Sequence, residues 1–152
     1  MVVEGQKVKN STVITEIFNA LYKISSRKTT EGYAFSLMKN LKEELQEQYP
    51  FFTKIDFTDV RFIEEGRFIE YTKNIEKIPP HTLYPSLKEY IQLLNKSLGK
   101  NAGPFFYKEI STKLSDESKI AMNEEGIDFI IMQLQYELEL LEKRIYHHHN
   151  YQ

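Results

Sequence analysis

The chain has 152 residues, 28% of them charged, with a net charge of −2 and no cysteine. Without cysteine there are no disulfides, thiolate metal sites or cysteine nucleophiles, and the near-neutral balance lacks the basic bias of a sequence-independent nucleic-acid binder. No apolar run reaches ~18 residues and the opening MVVEGQKVKN has no apolar leader core, so a cytoplasmic protein with no membrane partner is expected.

A chain of this length buries a core without covalent staples. One domain, 1–152, is expected, with a possible subdomain boundary at 76–82 around Pro79-Pro80. Lys and Glu supply most of the charge, a balance compatible with a thermophilic source. Ten Phe and ten Tyr, with no Trp, suit core packing. Clustered aromatics also build interfaces and pockets.

In chain order, Val13, Ile14, Ile17, Phe18, Leu21 and Ile24 have helical spacing, with Arg27 and Lys28 marking the end. A second helix is predicted from Thr29 or Thr30. It places Ala34, Leu37, Met38, Leu41 and Leu45 on one face, turns Lys42, Glu43, Glu44 and Glu47 to water, and is stopped by Pro50. Together these make a helical hairpin. The period then becomes two: Ile55 and Phe57 alternate, and Val60 and Phe62 alternate in the opposite phase, as a bulge or turn at Thr58-Asp59 would produce. Glu64-Glu65-Gly66 reads as a hairpin turn leading to Phe68, Ile69 and Tyr71. Two or three short antiparallel strands follow from this, with an uncovered edge or face as one candidate dimer surface.

Beyond Pro79-Pro80, Ser86 and Glu89 have capping-box spacing ahead of a Leu87, Ile91, Leu94, Leu98 seam that Gly99 ends. Gly103-Pro104 opens a helix with Phe106, Ile110 and Leu114 on one face, and Asp116 to Met122 forms a short helix or turn. The long last helix, Ile127 to about Tyr146, has Gly126 and Asp128 as reversal and N-cap. It carries two apolar stripes. Ile127, Ile131, Leu134, Leu138, Leu141 and Ile145 form a heptad-spaced seam, for which the other helices offer partners within the chain. Phe129, Met132, Tyr136 and Leu140 form the second, whose cover is unassigned and which is the candidate interface. The resulting fold class is α+β and helix-dominated: an N-terminal helical hairpin, a small antiparallel two- or three-stranded sheet, and a C-terminal helical half ending in one long helix.

The candidate ligand site is an anion-binding one: Lys100, Asn101 and Gly103, where small residues, a lysine and helix-terminal amides could hold a phosphate or carboxylate. It lacks the Gly-Lys-Ser/Thr ending of a phosphate-binding loop, and Gly99 and Pro104 also serve as cap and first-turn residues. Lys23, Arg27 and Lys28 form a basic spot in the N-terminal 30 residues, whose net charge of +3 against −5 for the remainder is a modest asymmetry. His147, His148 and His149 in the tail lack a framework for a working metal site. His81 stands apart from any paired nucleophile, and Glu64-Glu65 and Glu124-Glu125 read as solvated turns, so no catalytic, cofactor or metal residue is assigned.

The stretches Arg27-Lys28-Thr29-Thr30-Glu31-Gly32-Tyr33-Ala34 and Leu98-Gly99-Lys100-Asn101-Ala102-Gly103-Pro104-Phe105-Phe106 look like small uncharacterised archaeal α+β proteins of unknown function. That resemblance implies a cytoplasmic protein and carries over no functional residue. The function expected is non-enzymatic: self-association, as a homodimer, or docking on a protein partner. The alternative is a small-molecule or anion sensor, its pocket between the sheet and the C-terminal helices with Lys100 at the mouth.

Overall fold

A computed structural model describes residues 8–62 and 66–150, without the side chains of Phe62 and of residues 146–150. Ile63, Glu64 and Glu65 of the expected hairpin turn, and the side chains of His147 to His149, lie outside the described residues and atoms.

The N-terminal hairpin forms as its sequence dictates. Helix α1 (Asn10–Lys28) buries Val13, Ile14, Ile17, Phe18, Leu21 and Ile24, one face of a 3.6-residue period. Helix α2 (Glu31–Leu45) is N-capped by Thr30, whose hydroxyl accepts from the Tyr33 amide at 3.1 Å. It ends before Pro50, which instead begins a 3-10 turn at Pro50–Lys54. Lys42, expected to face water, is buried. Its ammonium donates to the Phe52 carbonyl at 3.2 Å, reached by an aliphatic stem long enough to lie along the core.

Strands β1 (Ile55–Phe57) and β2 (Ile69–Tyr71) pair antiparallel, Ile55 opposite Tyr71 and Phe57 opposite Ile69. Val60–Phe62, expected as strand, is a 3-10 turn. Asp59 accepts from the Arg61 amide at 3.3 Å and from its guanidinium at 2.9 and 2.6 Å, giving this segment local partners in place of a ladder. A two-stranded ribbon of this size is marginal alone. It is held by aromatic packing on α1: Phe57 on Phe18 with centroids 5.3 Å apart, and Phe68 on Tyr22 at 4.2 Å.

Helix α3 (Pro80–Leu98) starts six residues before the expected capping box, because Pro80 at the first helical position presets the backbone. Ser86 is therefore interior, its hydroxyl donating to the Leu83 carbonyl, and His81 lies exposed in the first turn rather than in a linker. Tyr90 is buried between α1 and α2: its ring meets Phe18 edge-on at 4.9 Å and its hydroxyl donates to the Met38 carbonyl at 2.7 Å. At the expected 76–82 boundary, Ile75 and Ile78 enter the core and both their carbonyls accept from the Asn10 side chain. Helix α4 (Phe106–Thr112) buries Phe106 and Ile110. Helix α5 (Asp116–Glu124) is N-capped by Ser115, whose amide donates to Glu16 of α1 at 2.6 Å. One cluster of buried side chains runs from Val13 to Met132. The fold is helix-dominated α+β, and no helix among the described residues is long and apolar enough to cross a membrane.

Candidate docking face on the last helix

Helix α6 (Phe129–Asn150) begins as its sequence predicts. Gly126 reverses the chain at φ 89°, and the Asp128 carboxylate accepts from the amides of Ile130 and Ile131 at 3.0 and 3.2 Å.

The cover of its two stripes is the reverse of that expected. Phe129 and Met132 are buried in their own chain, and Tyr136 and Leu140 are half-buried. The polar groups on that face explain the choice. Gln133 accepts from the Lys108 amide at 3.0 Å and donates to the Pro104 carbonyl at 2.8 Å, while the Tyr136 hydroxyl donates to the Gly103 carbonyl at 3.0 Å. These bonds satisfy part-buried backbone groups around the start of α4 that an all-aliphatic face would leave without these partners. The Tyr136 ring also meets Tyr107 edge-on at 5.5 Å. Burial pushes the Tyr107 hydroxyl up to about 12, with Glu139 and Tyr136 adding to the rise.

The heptad seam faces outward. Ile131, Leu134, Leu138, Leu141 and Ile145 are each between 51% and 58% exposed, and Ile130 beside them is 74% exposed. Only Ile127, which precedes the helix, enters the core. Monomers scatter exposed Leu and Ile singly; a contiguous aliphatic stripe over four turns marks a contact surface. From Leu141 to Ile145 every residue is exposed, so this part of the helix lies beyond the packed body. Phe105, half exposed, extends the apolar surface at the other end, where it lines a hollow with Phe129, Ile130 and Leu134.

The proposed anion residues are not gathered into one site. Lys100 and Asn101 are exposed on a 3-10 turn, Gly99–Ala102, and Gly103 supplies a positive φ of 77°. The cation near Gly103 is Lys28, from α1, which donates to the Ala102 carbonyl and, at 2.8 Å, to Glu109. Arg27 donates to the same carboxylate. Burial alone would raise Glu109, but the Lys28 hydrogen bond and the charges of Lys28 and Arg27 outweigh it and hold the carboxyl below its ordinary range. A side chain of the protein thus occupies the position an anion would take, and the Lys108 amide is engaged by Gln133. Lys23 instead lines a cleft of about 510 Å³ between α1 and β2, with Asn19, Tyr22, Arg67, Phe68 and Tyr71. Lys100, Asn101 and Gly103 are not part of its lining. Among the described residues no group of three or more His, Asp or Glu could hold a metal ion. No family model matches the chain, and no curated protein or solved structure is significantly similar to it.

Proposed function

We propose that the protein is a cytoplasmic, non-enzymatic association module that pairs through the outward seam of α6. The observation that carries this reading is the run Ile131, Leu134, Leu138, Leu141, Ile145, half exposed throughout and continued past the edge of the body. A free helix end of this length is marginal in water, since most helical stability comes from packing an apolar face. A partner on the seam supplies that packing. The resemblance to small archaeal proteins and the Lys/Glu balance are compatible with this reading and assign no residue to it.

Magnitudes bound the affinity. Fully burying a Leu or Ile stabilises by about 1.5–3 kcal/mol, so the half-exposed seam residues of two paired chains, about ten side chains, contribute roughly 10 kcal/mol. Association costs about 4–15 kcal/mol in lost freedom. One helix face therefore supports a pairing in the micromolar range or weaker.

Light scattering over a concentration series tests the reading with Leu134→Glu/Leu138→Glu. The unaltered chain is expected to gain mass with concentration, while the variant stays at 18.0 kDa and keeps the same thermal midpoint when dilute. A chain of constant monomer mass, or a variant that associates as well as the original, contradicts it.

A further inference from the structure

We propose that the occupant of the seam is a second copy of this chain, its α6 running antiparallel, with Leu138 packed against Leu141 of the partner subunit. This rests on the self-association reading and adds the partner, the orientation and the register.

In heptad terms Ile131, Leu138 and Ile145 take the a positions, and Leu134 and Leu141 the d positions. The face turned to the body, with Phe129, Met132, Gln133 and Tyr136, lies on the opposite side, so both flanks of the seam are open. Those flanks carry Ile130, Glu137 and Arg144 on one side, and Gln135 and Glu142 on the other, all exposed. Among the described residues none of the three charged groups is in an ion pair within the chain.

The flanking charges distinguish the possible pairings. In a parallel pair, Glu137 lies beside Glu142 of the partner subunit, and the two-fold axis repeats the clash. In an antiparallel pair each flank meets its own counterpart. If Ile131 faced Leu141 of the partner subunit, Glu137 would lie beside Glu137 of the partner subunit, again like against like. Moving the register so that Leu138 faces Leu141 of the partner subunit brings Glu137 beside Arg144 of the partner subunit, twice by symmetry. It also places Leu134 against Ile145 of the partner subunit and Gln135 beside Glu142 of the partner subunit. Both antiparallel registers fill four apolar layers, but only this one, which leaves Ile131 outside them, makes the flanking charges complementary. Antiparallel helices also align their dipoles favourably.

Charge reversal tests the sign. Sedimentation velocity from about 1 µM to about 1 mM spans the expected affinity. It is run on the unaltered chain, Glu137→Arg, Arg144→Glu and the double variant, with dilute circular dichroism checking the fold. Antiparallel pairing predicts that each single reversal weakens dimerisation about tenfold, since two attractive contacts become repulsive, and that the double variant returns to near the original. Glu137→Gln, which changes little but charge, is expected to weaken it by a smaller factor. A dimer that tightens with Glu137→Arg is parallel and overturns the orientation. A dimer indifferent to both single reversals overturns the register. A chain that is monomeric throughout overturns the self-association reading itself.

Discussion

Gly103 combines two constraints that an alanine would violate. Its backbone sits at φ 77°, ψ 165°, a region reserved almost wholly for glycine. A Cβ there would come within 2.7 Å of the Lys28 ammonium. Gly103→Ala is therefore expected to destabilise the fold by about 1–3 kcal/mol, read as a lowered urea midpoint; an unchanged midpoint would mean that neither constraint holds. That a helix opens at Gly103-Pro104 was legible in the sequence, but the need for glycine there was not. Lys28 and Glu109 arrive from helices remote in sequence, and spacing does not reveal which cation meets which carboxylate. Lys42 teaches the same lesson: its polar neighbours Glu43 and Glu44 suggested water, while its tip reaches the carbonyl of Phe52, which lies beyond the end of α2 and outside its helical period.

At the scale of elements, α6 makes an asymmetric prediction. Phe129 is packed in the core, so Phe129→Ala should cost about 3–5 kcal/mol. Leu138 is on the outward seam, so Leu138→Ala should change the dilute chain's stability by no more than about 0.5 kcal/mol. Chemical denaturation of both at low concentration checks this, and equal losses would mean that the seam is covered within the chain. The two stripes were legible from spacing, as were a helix start at Thr29 or Thr30 and the cap at Asp128. Which stripe turned inward was not, because periodicity ranks faces by apolarity and both faces are apolar. The missed signal was Gln133 and Tyr136: donors and acceptors among apolar residues, suited to the backbone at the start of α4. Competing local bonds also explain the other differences. Asp59 turned Val60–Phe62 into a 3-10 turn, and Pro80 started α3 ahead of Ser86.

For the whole molecule, the aromatic surplus serves the core. Phe18, Phe52, Phe57, Phe68 and Tyr90 pack where α1, α2, α3 and the two strands meet, while the outward seam of α6 is aliphatic. The helix-dominated α+β class followed from the change of period near Ile55 and back again after Pro79. The outward turn of the α6 seam did not, because an outward seam and an inward one read alike in a single chain. The central claim is that another chain covers the seam between Ile131 and Ile145. Hydrogen exchange of the unaltered protein, measured across a concentration series, tests it most directly, since protection reports the stability of each segment separately. The amides of Leu138 to Ile145 are predicted to exchange fast in dilute solution and to slow as concentration rises, while those of α1 stay constant. Exchange in α6 that is the same at every concentration would contradict the account.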